Sequence, residues 1–263
     1  MSRDDVYAPP RTVTDLNDCY FYHTMDVPGV GRVTGEWDLR AGVREYLGGV
    51  PVAGKRVLEI GPASGFLSFF MEREGAEVVG FDLSEAQAWD VVPFARADYA
   101  QFEAERRAHI RRLNNGYWLC HRAHGSRARM VYGSVYAIPA AIGAVGVATF
   151  GSVLLHVRDP FLALQNALRL TRETVVVTEL LWRRLAVVGR LVRPSMAFRP
   201  DLRTGQPRET WWTLTPDVIK AFIGVLGFED SEVRYHVQTA GGRRERLFTV
   251  IGRRTHGSLS RGL

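Results

Sequence analysis

The sequence contains very little cysteine: Cys19 and Cys120 are the only two among 263 residues. Two cysteines exclude a disulfide framework or a thiolate metal cluster, and they favour a protein of the reducing cytoplasm. Lysine is equally scarce, because Lys55 and Lys220 are the only lysines and arginine supplies the rest of the basic side chains. This arginine bias is typical of GC-rich coding sequences, such as those of actinobacteria. The formal net charge of +6 is too modest to predict a nucleic-acid partner.

The chain also lacks clear signs of membrane targeting. Its first residues are polar, so we expect no secretory signal. Residues 131–155 carry no charge and are long enough to cross a membrane, but glycine and proline interrupt them and no basic or aromatic flanks frame them. We interpret this segment as a buried turn, strand and loop. With 46% hydrophobic and 24% charged residues, the chain has the composition of a globular domain, alone or with a lid.

The most informative stretch, residues 55–84, has the pattern of a strand, a glycine turn, a helix and a second strand. The first apolar run ends at Gly61, an apolar helix face follows Gly65, and the second strand ends in Asp82. An acid about 20 residues after a glycine turn is typical of a nucleotide-binding βαβ unit, where it accepts ribose hydroxyls. The dinucleotide fingerprint G-x-G-x-x-G is missing, because Ala63 and Phe66 replace its second and third glycines.

Alternating strand and helix patterns continue to the C-terminus. They predict strands at 129–132, 145–150 and 174–178, helices at 99–123, 161–171 and after 216, and a terminal hairpin over 231–251. This order is typical of a doubly wound, mostly parallel α/β sheet. Ligands bind such sheets beyond the carboxyl ends of the strands. The segments that fall at those ends are Gly61–Gly65, Asp82, Ser134, Gly151–His156 and Glu179.

Glu59, Gly61 and Gly65 form the motif E-x-G-x-x-x-G. With Asp82, this motif resembles the cofactor site of class I S-adenosylmethionine (SAM) methyltransferases, and the resemblance covers residues 55–254. It implies a Rossmann-like sheet of seven strands with a C-terminal antiparallel hairpin, SAM as cofactor and S-adenosylhomocysteine (SAH) as product. The cofactor-binding residues implied are Glu59, Gly61, Pro62, Ala63, Gly65, Asp82, Leu83, Ser134, Val135, Tyr136 and Gly151.

One position departs from that family. Ser134 stands where the family commonly places an acid that binds the adenine amino group. A hydroxyl or a backbone carbonyl could take that role here.

Two further segments are similar to the branch of the family that contains the tRNA wobble-uridine carboxymethyltransferases. One is H-x-R-x-P, formed by His156, Arg158 and Pro160, and the other is the pair Trp211-Trp212 before the last helix. The tRNA enzymes carry a long basic N-terminal extension, whereas this chain has only a short lead-in. The resemblance therefore implies SAM rather than carboxy-SAM, and the specific member we expect is an actinobacterial sugar O-methyltransferase.

We expect residues 1–50 to form an N-terminal arm or lid, and residues 51–263 to form the SAM-binding domain with an acceptor-site insertion at about 182–212. An amphipathic helix is predicted from Trp37 to Leu47. The arm either closes over the site or is simply packed by its aromatic residues. The candidate substrate-binding residues are Tyr22, Trp37, Arg158, Trp211 and Trp212, and core packing is the alternative use of the tryptophans.

Methyl transfer to a hydroxyl needs a group that removes the hydroxyl proton. A histidine with a pKa near neutrality suits this role. His156, at the carboxyl end of a strand, is the first candidate, and a structural histidine that bonds to a loop carbonyl is the alternative. His23 is the second candidate. Asp26 or Glu179 could act as the base or orient it.

The acceptor atom is predicted from motifs that the sequence does not contain. No N-P-P-Y motif follows the predicted strand at 145–150, unlike in the resembling amino-group methyltransferases, so the acceptor atom is expected to be oxygen. No dense Asp/Asn cluster predicts a metal site. The favoured hypothesis is an O-methyltransferase that acts on a small hydroxylated molecule, a sugar or glycoside first, as a cytoplasmic protein that can form a homodimer. The alternatives are a methyl- or carboxymethyltransferase that binds a tRNA wobble uridine through the 106–129 surface, and a SAM-binding protein without catalysis.

Overall fold

The computed structural model describes residues 3–87, 89–181 and 194–256. Its strands are β1 (Met25–Val27), β2 (Gly31–Val33), β3 (Trp37–Asp38), β4 (Arg56–Ile60), β5 (Glu77–Asp82), β6 (Arg129–Tyr132), β7 (Val145–Gly151), β8 (Thr171–Leu180), β9 (Met196–Phe198), β10 (Trp212–Leu214), β11 (Asp230–Ala240) and β12 (Arg243–Arg253). Its helices are α1 (Val43–Tyr46), α2 (Phe66–Arg73), α3 (Ala100–Ala123), α4 (Pro160–Leu168) and α5 (Pro216–Val225).

The central sheet has eight strands in the order β3–β11–β12–β8–β7–β4–β5–β6. The strands from β8 to β6 are parallel to one another, whereas β12 runs antiparallel to both β8 and β11. The predicted α/β class, the mostly parallel sheet and the C-terminal hairpin are confirmed. The sheet has one strand more than the predicted seven, because β3 joins its edge.

This additional strand forms where the sequence predicted a helix from Trp37 to Leu47. Trp37 and Asp38 pair instead with Ala240 and Thr239 of β11. Only Val43–Tyr46 is α-helical, after a turn in which the Gly42 N–H donates to the Leu39 carbonyl at 3.1 Å. The helix prediction is wrong for residues 37–42, because the pairing partner of Trp37 lies far along the chain and leaves no local pattern.

Helices cover both faces of the sheet, as a doubly wound fold requires. One face packs against α2 and α3 through side chains such as Phe69 and Tyr117. The other packs against α4 and α5 through side chains such as Leu164 and Ile219. This arrangement leaves the carboxyl ends of the parallel strands open to a ligand.

The N-terminal arm is bonded to the core at several points. The Ala8 N–H donates to the Met130 carbonyl at 2.8 Å, and the Tyr20 N–H donates to the Arg112 carbonyl at 2.9 Å. The Tyr22 N–H donates to the Ser64 hydroxyl at 3.2 Å. These bonds place the arm beside the glycine turn after β4.

Part of the predicted insertion at about 182–212 lies outside the described residues, namely 182–193. The described part contains β9 paired antiparallel with β10. The Trp211 N–H donates to the Leu155 carbonyl at 2.8 Å, which joins the insertion to the loop after β7. Within the described ranges, no helix is both long and apolar enough to cross a membrane.

Candidate active site

The glycine turn after β4 has the conformation of a close-approach loop. Gly61 and Gly65 have φ values of +72° and +91°, which side-chain-bearing residues rarely adopt. A Cβ atom on Gly61 would lie 2.8 Å from Val153 Cγ2, and one on Gly65 would lie 2.5 Å from the Phe69 ring. The two glycines are therefore required by backbone conformation and by packing, before any ligand is considered.

Replacing Gly65 by alanine is expected to lower the free energy of unfolding by about 2–4 kcal/mol, from left-handed backbone strain plus overpacking. Gly31→Ala is the matched control, because Gly31 has φ +95° and open space where a Cβ would lie. Urea denaturation of both variants separates the two costs. If Gly65→Ala loses no more stability than Gly31→Ala, the buried clash with Phe69 does not exist.

Asp82, the last residue of β5, faces this turn. Its Oδ1 accepts the Leu83 N–H at 2.8 Å and its Oδ2 accepts the Ala63 N–H at 3.2 Å. These bonds orient the carboxylate and leave each oxygen able to accept another hydrogen bond. Burial raises the pKa of Asp82 to about 6. The group can thus accept two neighbouring hydroxyls of a ribose at neutral pH.

A cavity of about 530 Å³ opens at the carboxyl ends of β4, β5, β6 and β7. This volume lies in the range of small-molecule sites, roughly 300–1,000 Å³. The predicted cofactor residues that line it are Gly61, Ala63, Asp82, Leu83, Ser134, Val135, Tyr136 and Gly151. The structure thus brings together most of the predicted cofactor set from four separate loops.

The other predicted cofactor residues support the turn without lining the cavity. Pro62 and Gly65 belong to the turn itself. Glu59 is buried within β4, where it accepts a short hydrogen bond from the Ser68 hydroxyl, and burial raises its pKa to about 8. Ser134, which does line the cavity, accepts the Tyr136 N–H at 3.3 Å and so caps the turn that follows β6.

His156 lines the same cavity, at the end of the loop after β7. Its Nδ1 is bonded to the backbone carbonyl of Glu209. A carbonyl can only accept, so the imidazole proton is on Nδ1 and Nε2 keeps its lone pair. Burial lowers the pKa of His156, which keeps the ring neutral near pH 7. The predicted bond to a loop carbonyl is therefore present at Nδ1, and the chemistry of Nε2 leaves the role as a base open as a proposal.

Glu179, a second predicted catalytic group, lies behind this loop. It is 2% exposed, and its Oε1 accepts the Leu154 N–H at 2.8 Å. Burial raises its pKa to about 8. In this position Glu179 supports the loop that carries His156 and does not line the cavity.

His23 and Asp26 are not brought to the cavity either. His23 is buried beside Phe66, and burial lowers its pKa to about 4. Asp26 is exposed and forms ion pairs with Arg32 at 2.9 Å and Arg40 at 3.3 Å. Neither side chain lines the cavity that His156 lines, so this geometry gives no support to a base role for them.

The predicted substrate residues have different positions. Tyr22 lines the cavity, whereas Trp37 lies half-buried in β3. Arg158 forms an ion pair with Asp90 at 3.4 Å and stacks on Trp211, with 5.1 Å from Cζ to the ring centroid. The Trp212 indole N–H donates to the Arg158 carbonyl at 3.1 Å. Asp90, which does line the cavity, is thus held by Arg158 and by a hydrogen bond from the Trp211 indole N–H to its backbone carbonyl, whereas Trp212 holds Arg158.

Sequence reasoning missed several residues that line the cavity: Glu36, Gln87, Trp89, Asp90, Arg106, His109, Ile110, Leu113, Asn114 and Glu209. The arginines of α3 looked like a solvated or RNA-binding face. Only the packing of α3 across the strand ends turns Arg106 and His109 inward. A signal was present in the linker that carries Trp89, because Val91 and Phe94 beside it make that segment more apolar than a solvated linker.

A family profile described as Methyltransferase domain matches residues 38–206. The chain belongs to this methyltransferase family. The predicted enzyme class, a SAM-dependent methyltransferase, is confirmed. Among curated protein sequences, none matches the chain.

Solved structures share the fold. The N-terminal domain of EvdMO1 with SAH bound is 18% identical, with a TM-score of 0.58, and the match covers 91% of this chain and 92% of that one. The same domain in the presence of SAH and D-fucose gives 19% identity, a TM-score of 0.55 and the same coverage. The Burkholderia thailandensis 1,6-didemethyltoxoflavin-N1-methyltransferase is 11% identical, with a TM-score of 0.52 and coverage of 83% and 78%. At these identities the likeness concerns the fold alone.

Proposed function

We propose that this methyltransferase transfers a methyl group from SAM to a hydroxyl of a small molecule, with a sugar or glycoside as the favoured acceptor. The observation that carries the proposal is the position of His156. It lines the same cavity as Gly61 and Asp82, and its bond to Glu209 leaves Nε2 free to accept a proton.

In this proposal one group of cavity residues binds the cofactor, and His156 acts on the acceptor. Asp82 accepts the ribose hydroxyls, and the turn from Gly61 to Gly65 lets the backbone approach the methionine part of the cofactor. Bound SAM supplies an electrophilic methyl group. His156 Nε2 takes the proton of the acceptor hydroxyl as the oxygen attacks, and the carbonyl of Glu209 holds the imidazole in place.

The preference for a sugar rests on the groups at the acceptor side. Glu36, Trp89 and Tyr22 line the cavity, and the proposal assigns them to the acceptor. A carboxylate next to aromatic rings suits a polyhydroxylated ring, because the carboxylate accepts hydrogen bonds from hydroxyl groups while the aromatic faces cover the apolar side of the sugar. The fold neighbour solved with D-fucose makes sugars the first class to test.

The alternative acceptor, a tRNA wobble uridine, is not favoured by the α3 surface. Arg106 is paired with Glu209 at 2.6 Å, and Arg112 donates to the Cys19 carbonyl at 3.1 Å. Two arginines of the predicted RNA surface are thus engaged within the protein.

Calorimetric titration with SAM, SAH and carboxy-SAM tests the cofactor half of the proposal, and mass spectrometry of a panel of hydroxylated acceptors tests the other half. We expect SAM and SAH to bind and a methylated sugar or glycoside to form. Preference for carboxy-SAM together with salt-sensitive tRNA binding would favour the RNA alternative instead. SAM binding without methylation of any acceptor in the panel would favour a non-catalytic role.

A further inference from the structure

We propose that Arg106 is a positioning residue, which keeps His156 in the tautomer able to accept a proton by anchoring Glu209. The catalytic part of this inference rests on the function proposed above, whereas the tautomer part does not. No motif in the sequence points to this pair, because Arg106 and Glu209 lie on distant segments of the chain.

Glu209 joins the two residues through different atoms. Its backbone carbonyl accepts a hydrogen bond from the Nδ1–H group of His156. Its side-chain Oε1 lies 2.6 Å from Arg106 Nη1. The ion pair therefore restrains the Cα atom of Glu209 through its side chain, and the carbonyl that selects the tautomer is attached to the same Cα atom.

The ion pair is well placed to fix Glu209. The side chains of Arg106 and Glu209 are 25% and 30% exposed, so solvent screens the pair less than it screens a surface pair. The Arg106 guanidinium also lies 5.6 Å from the Trp89 ring centroid, and that ring lies 6.3 Å from the imidazole of His156. The Trp89 ring thus contacts both the Arg106 guanidinium and the His156 imidazole.

The backbone on either side of Glu209 has separate anchors. The Val92 N–H donates to the Arg208 carbonyl at 2.9 Å, and the Trp211 N–H donates to the Leu155 carbonyl at 2.8 Å. The segment should therefore remain folded when Arg106 is replaced, while Glu209 itself gains freedom. This makes a specific effect on His156 measurable.

The tautomer matters because a neutral imidazole carries one proton. With that proton on Nδ1, Nε2 accepts; with it on Nε2, the cavity side presents a donor and cannot remove a hydroxyl proton. If the Glu209 carbonyl shifts, the ring is free to adopt the second form. Turnover should then fall while SAM, which contacts the other end of the cavity, still binds.

The test uses the full-length protein with ¹⁵N-labelled histidine and a long-range ¹H–¹⁵N correlation spectrum at neutral pH, in which the two tautomers differ. His156→Gln assigns the His156 signals. We expect the Nδ1–H form in the wild type and in Arg107→Met, a matched control because Arg107 is exposed on the same helix. In Arg106→Met and Glu209→Gln we expect a substantial Nε2–H population, and the double variant should be no worse than either single variant.

The kinetic readout uses an accepted acceptor at saturating SAM. We expect kcat to fall about 10- to 100-fold in Arg106→Met, with SAM affinity unchanged within about twofold. An unchanged Nδ1–H tautomer in both Arg106→Met and Glu209→Gln would overturn the proposal, as would a tautomer shift that leaves kcat at the wild-type value. If Arg106→Met does not fold, Glu209→Gln carries the test because it keeps the shape of the side chain. Full activity of His156→Ala would instead refute the base assignment in the proposed function.

Discussion

Asp82→Asn is expected to weaken SAM binding about 100-fold or more. In the role proposed for it, the carboxylate offers an acceptor to each ribose hydroxyl, while both of its oxygens also accept backbone N–H groups. An amide has only one oxygen, and its NH₂ group would face the N–H of Ala63 or Leu83. Losing two charge-assisted hydrogen bonds at about 1.5 kcal/mol each gives this factor. Calorimetric titration with SAM measures it directly.

Asp217→Asn is the matched control, because Asp217 is exposed at the start of α5 and its replacement should leave SAM affinity unchanged.

The pH dependence of SAM binding gives a second check on the role of Asp82. Burial raises the pKa of Asp82 to about 6, so the carboxylate becomes protonated as the pH falls through that value. The dissociation constant of SAM should then rise about tenfold per pH unit below 6 in the wild type and much less in Asp82→Asn. A wild-type affinity that is constant between about pH 8 and pH 5 would contradict the assignment.

His156→Ala is expected to lower turnover by about 10²–10⁴-fold while SAM affinity stays near the wild-type value. This is the usual contribution of a positioned general base, and in the proposed function the histidine acts on the acceptor rather than on the cofactor. Transfer of a labelled methyl group to an accepted acceptor measures turnover. His256→Gln, at an exposed residue, is the control that should change neither quantity.

The pH profile of kcat at saturating SAM tests the same residue. Burial lowers the pKa of His156 from its usual value of 6.5, so the protonated and inactive form should accumulate only at a pH below that value. We expect kcat to stay level at neutral pH and to fall in more acidic solution. Substantial turnover in His156→Ala with an unaltered profile would assign proton removal to another group or to solvent.

The sequence alone predicted the doubly wound fold well because its evidence is local. The stretch from Lys55 to Ser84 shows strand, glycine turn, helix and strand in consecutive residues, and Asp82 ends the second strand as its position implies. The terminal hairpin was equally clear from alternation around Gly241-Gly242. Pairing of Trp37 with β11 was not predicted, because the edge that receives it belongs to a distant part of the chain.

The candidate site shows the same division. Gly61, Asp82 and His156 were found from the sequence because each ends a predicted strand or lies in the loop after it. Arg106 was missed because its helix had the pattern of a solvated surface helix. Glu209 was missed because the insertion that contains it shows no recognisable sequence pattern.

The sequence by itself therefore determined the class of fold, the cofactor end of the cavity and the first candidate for the base. Short-range patterns of glycine, apolar and acidic residues carry that information. Only the tertiary structure decided which faces of α3 and the insertion turn towards the cavity, that none of the tryptophans at 37, 211 and 212 lines it, and which nitrogen of His156 carries the proton. Those outcomes depend on contacts between residues far apart in the chain, and no local pattern encodes such contacts.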